Sequence, residues 1–284
     1  TERNLRDLMM VLVSQGLLDV SGDFGSEKFR NTEMTMSNFI SSSPTNVCKS
    51  YLNLEKFMKL YGDYSKDGYV HEHRLNHSNS PYLKDEDAEG DLDYFYKVNQ
   101  RSFSKMMEIV DFSKFSKITD IRGGSGKYAM ELKEKNPNCE IRSFDKPSLQ
   151  KFALRNIEKN TNSKMSEIKV MSGNLVSDSL PESDCVFAPY VFMHFNCDSL
   201  KSVLKNIVSC LKPNGQMVIM ESLLHGDKTD STPYAMSFMM QVLNCEGYAR
   251  NFEELKSCLI DAGFKNVERK EIGFGMSDLI ICQK

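Results

Sequence analysis

The sequence predicts an α/β fold, a doubly wound Rossmann-like sheet preceded by a partial winged-helix and helical region. Three observations carry this. β-prone segments and helical apolar stripes alternate between residues 118 and 262. The first such segment, Ile118-Thr119-Asp120-Ile121, breaks into Arg122-Gly123-Gly124-Ser125-Gly126 ahead of a helical run. The next, Ile141-Arg142-Ser143-Phe144, ends on a second acid, Asp145. Strand, glycine turn, helix, strand and acid are the layout of a nucleotide-type cofactor site. Glycines admit close backbone approach, free N–H groups at the helix start face the ligand, and the acid accepts ribose hydroxyls.

Residues 1–47 are expected to form a partial winged-helix dimerisation region. Leu5, Leu8, Met9, Val11, Leu12, Leu17 and Leu18 make a helical apolar stripe ended by Gly16, and 20–35 reads as a hairpin around Gly22-Asp23-Phe24-Gly25. The helix is mainly apolar with only two arginines, which points to a dimerising or substrate-covering role ahead of DNA binding. Residues 48–110 are expected to be a helical linker and substrate-covering region. Within it, 60–93 is polar and turn-rich like a solvated connection, and 94–110 is helical. His71, His73 and His77 fall there without a nearby cysteine or obvious fourth ligand, so no metal is expected.

Residues 111–284 carry the sheet. Strands are expected at 118–121, 140–144, 168–171, 185–188 and 217–220, with a helix at 128–135. Leu200, Val203, Leu204, Ile207, Val208 and Leu211 share one helix face, stopped by Pro213-Asn214-Gly215. A last helix opens at Asn251, with Glu254 placed for a capping box. Such alternation gives a parallel sheet covered on both sides, and ligands bind at the carboxyl ends of its strands. Arg122, Asp145, Asn174 and His194 should meet there.

Composition narrows the function. The 36 basic and 39 acidic side chains give a net charge of -3, and no basic stripe interleaves with aromatics. Nucleic acid is a poor partner for such a chain, and small molecules or proteins are better ones. The eight cysteines form no CxxC pair and suit free thiols in a reducing compartment. With no signal-peptide pattern, lipidation motif or apolar run of membrane length, a cytoplasmic protein without a membrane partner is expected.

His194 lies just past the fourth strand in the apolar run Tyr190-Val191-Phe192-Met193-His194-Phe195, a setting for a general base acting on a hydroxyl. Glu221 ends the neighbouring strand, where its carboxylate is placed to orient that imidazole. Met236, Phe238, Met239, Met240 and Leu243 read either as the lining of an apolar cavity or as ordinary core.

Taken in order, several segments resemble the S-adenosylmethionine-dependent O-methyltransferases with a winged-helix dimerisation domain. They are Asp120-Ile-Arg-Gly-Gly-Ser-Gly126, Phe144-Asp145-Lys146-Pro147, Gly173-Asn174, His194, Leu211-Lys-Pro-Asn-Gly215, Glu221-Ser-Leu-Leu224, Glu246-Gly-Tyr-Ala-Arg250 and Ala262-Gly263-Phe264. Phe29-Arg-Asn-Thr-Glu33 followed by Ser43-Pro44-Thr45 resembles in particular the animal acetylserotonin (hydroxyindole) type. The resemblance implies a cofactor site of Asp120, Gly123, Gly124, Gly126, Asp145 and Asn174, with His194 as general base and Glu221 as its helper. It implies methyl transfer from S-adenosylmethionine, without metal, to a hydroxyl of a small aromatic or indolic molecule, performed by a homodimer.

Five departures fall on the implied pocket. Arg122 replaces a glycine, and its cation either opposes the sulfonium or pairs with the cofactor carboxylate. Asn174 replaces an aspartate, Phe195-Asn196 an Asp-Trp pair, Ala249 a glutamate and Asn99 a methionine. The alternative reading, carried by Arg122 and Ala249, is therefore a methyltransferase-fold pseudoenzyme or structural or interaction subunit with weak or lost cofactor binding.

Overall fold

A computed structural model describes residues 2–14, 18–22, 26–32, 85–225, 233, 234, 237, 247–272 and 277–284. The histidines at 71, 73 and 77, the Ser43-Pro44-Thr45 segment and the residues 236, 238–240 and 243 lie outside them. The chain forms two compact units, one of Thr1–His77 with Leu224–Ala249, the other of Ser78–Leu223 with Arg250–Lys284.

In the first unit, helix α1 (Glu2–Ser14) precedes strands β1 (Leu18–Ser21) and β2 (Lys28–Asn31), which pair antiparallel with Val20 opposite Phe29. Helix followed by hairpin is the expected order. Met10, Leu224, Tyr234 and Ala249 are buried together, with Val11, Val20 and Phe29 packed against them. Beside this cluster the buried Asp7 accepts the Ser237 hydroxyl at 2.6 Å, and that hydroxyl oxygen accepts the Ala249 N–H at 3.1 Å. Ala249, where the family resemblance leads one to look for a carboxylate, is thus part of an apolar core.

The second unit opens with α2 (Asp85–Ile109). The expected start at 94 is corrected by nine residues: the helix begins at Asp85. There follow β3 (Lys117–Asp120), α3 (Lys127–Lys135), β4 (Glu140–Asp145), α4 (Pro147–Glu158), β5 (Lys169–Ser172) and β6 (Ser183–Pro189). Next come α5 (Cys197–Cys210), β7 (Leu211–Glu221), α6 (Phe252–Ala262), β8 (Lys265–Glu271) and β9 (Asp278–Gln283). The sheet order is β5-β4-β3-β6-β7-β9-β8. β3 to β7 pair in parallel, whereas β9 runs antiparallel to β7 and to β8.

The purely parallel sheet expected from sequence is corrected by those last two strands. β8, Lys-Asn-Val-Glu-Arg-Lys-Glu, has no apolar alternation to betray it, because it is an edge strand that charge protects from further pairing. β7 starts at Leu211, so Pro213-Asn214-Gly215 lies within the strand rather than ahead of it.

Period-2 alternation sends side chains to both faces of the sheet. Cys185, Phe187 and Val218 enter one cluster with Phe103, Tyr128 and Ile141, while Val186, Ala188 and Ile219 enter another with Leu200, Leu204 and Leu255. Packed on both faces, the sheet leaves the carboxyl ends of its strands for chemistry. β4 and β6 flank β3, so the chain path reverses there, and ligands in such folds bind at that point.

Candidate active site

The loop after β3 is held by hydrogen bonds within itself and to β4. The Asp120 Oδ1 accepts the Arg122 N–H at 3.0 Å, Gly123 donates to the Phe144 carbonyl at 3.0 Å, and Gly126 donates back to the Gly123 carbonyl at 2.6 Å. Gly124 (φ 47°) and Gly126 (φ 77°) are left-handed, a conformation that costs a residue with a Cβ. Gly123 is needed for a different reason: a Cβ there would lie 2.0 Å from the Ser143 hydroxyl oxygen. The loop then ends at α3, capped by Gly126.

Asp145, at the end of β4, is tied to that loop. Its Oδ2 accepts the Gly124 N–H at 2.8 Å and its Oδ1 the Lys146 N–H at 2.7 Å. Asp120, Gly123, Gly124, Gly126 and Asp145 therefore share one place. Asn174 stands beyond the end of β5, linked to it because Gly173 donates to the Asp145 carbonyl at 3.0 Å. Its exposed side chain shapes its own loop, with Oδ1 accepting the Val176 N–H at 2.9 Å.

His194 ends the 3₁₀ turn Phe192–His194 that follows β6. Two buried opposite charges hold the backbone of this turn. Glu221, 2% exposed, accepts the N–H groups of Phe192 and Met193 on Oε2 at 3.0 and 3.3 Å, and that of Ser222 on Oε1 at 3.0 Å. Arg250, 3% exposed, donates to the carbonyls of Phe192 at 3.0 Å and Phe195 at 2.7 Å. Glu221 thus acts on the turn that carries His194. Asn196 caps α5 by accepting the Ser199 N–H at 2.8 Å, and Phe195 packs on the core beside it. A capping residue in this place needs a short polar side chain, which accounts for asparagine at a position where the family resemblance suggests tryptophan.

Arg122 is aimed inward. Its Nη1 donates to the Tyr190 carbonyl at 2.5 Å, and its guanidinium lies over the Phe95 ring, 4.5 Å from the centroid. Tyr190 itself has φ 51°, unusual for a bulky residue, and its ring meets Phe95 edge-on at 5.2 Å. Burial pulls the guanidinium pKa down, while Asp145, Glu221, Tyr128 and Asp120 pull it up. The acids feel the same surroundings. Burial lifts both Asp120 and Glu221 to about 7, against the backbone hydrogen bonds and the Arg122 cation that favour their charged forms. Asp145 is also raised, again by burial first.

Sequence reasoning missed Arg250, Tyr190 and Phe95. Arg250 was legible only as the survivor of a family segment, and neither aromatic has a local pattern that separates it from core. Asn99 is buried and donates to the Phe95 carbonyl at 2.8 Å, one turn back on α2. Among the described residues, no group of His, Cys, Asp or Glu side chains could hold a metal ion.

The fold and this strand-end site define a methyltransferase of the O-methyltransferase domain type, whose family description matches residues 84–265. The chain belongs to that family. It is 25% identical to human (Homo sapiens) acetylserotonin O-methyltransferase over 98% of this chain and 82% of that protein. It is 24% identical to des-methyl DIF-1 methyltransferase A of Dictyostelium discoideum over 56% of this chain and 45% of that one. Among solved structures it is similar to human N-acetylserotonin methyltransferase in complex with S-adenosylmethionine, with TM-score 0.66 and 25% identity over 98% of this chain and 81% of that one. The fold also matches an O-methyltransferase family 2 protein of Planctomyces limnophilus in complex with apigenin. There the TM-score is 0.67 at 21% identity, over 100% and 82% of the two chains.

Proposed function

We propose that this chain moves a methyl group from S-adenosylmethionine to a hydroxyl of a small aromatic or indolic molecule, with His194 as the general base. The observation that carries the reading is the clamped turn after β6. Glu221 holds its amides and Arg250 its carbonyls, which supports His194 at the end of that turn, just past the strand that pairs with β3. Rigid placement of a base is what such a reaction asks of a protein, because alignment of the attacking oxygen and removal of its proton dominate catalysis of an in-line displacement.

The loop fits the adenosine-bearing donor. Its left-handed glycines bare the backbone, and Asp145 has oxygens for the ribose. The Asp120 Oδ2 is buried without a hydrogen-bond partner among the described residues. Gly123, Gly124, Gly126, Asp120 and Asp145 would hold the donor, with Asn174 toward the adenine. When bound, it supplies an electrophilic methyl group on a positively charged sulfur. His194 takes the proton of the acceptor hydroxyl, and Glu221 acts by positioning the turn. In this reading the chain works as a cytoplasmic homodimer. No described helix is long and apolar enough to cross a membrane.

The test is methyl transfer from labelled S-adenosylmethionine to a panel of hydroxyindoles and phenols. Wild type should turn over at least one acceptor. His194→Ala should lose about 100-fold or more in kcat while S-adenosylhomocysteine still raises its melting temperature. Loss of that thermal shift would make His194 structural. One observation, the inward guanidinium of Arg122, favours a second reading in which the fold is kept and donor binding is weak or lost.

A further inference from the structure

Helix α2 presents one face with two characters. Glu89, Leu92, Asp93 and Tyr96 follow the i, i+3, i+4, i+7 spacing of a single stripe, and that stripe continues through Asn99, Phe103 and Met106. Phe103 and Met106 are fully buried, and the Phe103 ring stacks on Tyr128 of α3 with centroids 4.6 Å apart. Apolar burial thus fixes the later turns. The earlier turns are held chiefly by charge.

Asp93 pairs with Lys127, the first residue of α3, at 2.6 Å, and Glu89 pairs with Arg155 of α4 at 2.9 Å. The Tyr96 hydroxyl donates to Glu131, and the Lys127 Nζ lies over the Tyr96 ring, 5.2 Å from its centroid. Leu92 stands between the two acids, and its Cδ2 is 3.1 Å from where a Cβ on Gly124 would be. Gly124 is the loop residue whose N–H bonds Asp145, so Leu92 rests on the loop where it meets the acid of β4. α4 reaches the same loop through the Asn156 amide, which donates to the Ser125 carbonyl at 2.9 Å. The ties therefore join α2 to the two helices that border the loop.

Both ion pairs are open to water. The Glu89 and Arg155 side chains are 36% and 42% exposed, those of Asp93 and Lys127 38% and 23%. Such pairs hold weakly and loosen as salt rises, whereas a buried aromatic stack does not. A helix anchored in the core at one end and by screened charges at the other opens first at the charged end.

We propose that the turns from Glu89 to Tyr96 are a strap latched over the donor loop, and that donor and product exchange when the Asp93–Lys127 and Glu89–Arg155 pairs release. This inference rests on the cofactor reading given above. Latched, the strap keeps Leu92 on Gly124; released, it uncovers the loop while the later turns of α2 stay in the core. A gate of this kind slows entry and exit alike, so it changes the rates of exchange far more than the affinity.

The experiment measures association and dissociation of S-adenosylhomocysteine on the immobilised full chain by surface plasmon resonance, at about 20 mM and about 500 mM salt. This probe carries one ammonium and one carboxylate, so its own net charge gives salt little to act on. Wild type is compared with the double variant Glu89→Gln, Asp93→Asn and with Leu92→Ala, each checked first by its melting curve. High salt should speed both rates of wild type by about fivefold, and the double variant should be that fast at low salt with no further response. Leu92→Ala should also be faster but keep its response to salt. Wild-type rates that ignore salt, or a double variant within about twofold of wild type, overturn the inference and leave the cofactor reading standing. So does faster dissociation with unchanged association, since the side chains would then hold the ligand rather than gate it. Hydrogen exchange of the free chain gives a readout without ligand: amides 92–96 should exchange about fivefold faster in the double variant while 103–107 do not change. Unchanged exchange at 92–96 would show that the pairs do not latch the strap. If wild type binds no S-adenosylhomocysteine, the cofactor reading falls and takes the gate with it.

Discussion

Glu221 and Arg250 grip opposite poles of one peptide turn: the carboxylate takes the N–H groups of Phe192 and Met193, and the guanidinium takes the carbonyls of Phe192 and Phe195. Both side chains are almost wholly buried. Neither charge can be left alone there without a large desolvation cost. Arg250→Met should therefore destabilise the protein by about 2–5 kcal/mol, and Arg250→Lys by less, since one ammonium replaces a two-pronged donor. Urea unfolding measures this; a midpoint shifted by less than the fitting error would show that the turn holds without the clamp.

Asp120 gives the protein a pH signature. Its carboxyl is lifted by burial from 3.8 to about 7, so between those values the folded chain binds a proton that the unfolded chain has released. Stability from this group is present below about pH 4 and is lost as pH rises toward about 7. The decline is at most about 1.4 kcal/mol per pH unit. Glu221, lifted to about 7, adds to it with the same sign. Asp120→Asn should flatten the fall in melting temperature between pH 5 and pH 8. Parallel curves for variant and wild type would refute the assignment.

Crowding at Gly123 makes a paired prediction. A methyl group there would meet the Ser143 hydroxyl oxygen at 2.0 Å, so Gly123→Ala should cost about 1–3 kcal/mol by overpacking. Ser143→Ala removes the oxygen but leaves its Cβ at 3.2 Å, so it should recover part of that loss. Chemical denaturation of the two single variants and the double variant closes the cycle. Strict additivity would mean that the loop moves away rather than clashing.

Asn196 offers a simpler check. As the N-cap of α5 it satisfies the Ser199 N–H, and Asn196→Ala should lower stability by about 0.5–2 kcal/mol while Asn196→Ser stays near wild type. If serine and alanine behaved alike in thermal melts, the cap would not be what fixes asparagine at this position.

Local patterns in the chain were enough for the parallel strands, the glycine loop, the capping box at Asn251 and Glu254, and the placing of Asp145 at a strand end, because each rests on neighbours within a few residues. They were not enough for β8, whose charged sequence is stable as a strand only because β9 lies beside it. Nor did they extend to the partners of Glu221, Arg250 and Arg122. A side chain's residue type says that it carries charge, while the direction of that charge depends on which carbonyls, amides and rings the packed sheet brings near it. For Arg122, the partners of the cation are the Tyr190 carbonyl and the Phe95 ring, 68 and 27 residues away along the chain, which no local pattern brings near it. Order along the chain determined the architecture, and burial decided the electrostatics, because only a folded interior removes the water that would otherwise screen each charge from its neighbours.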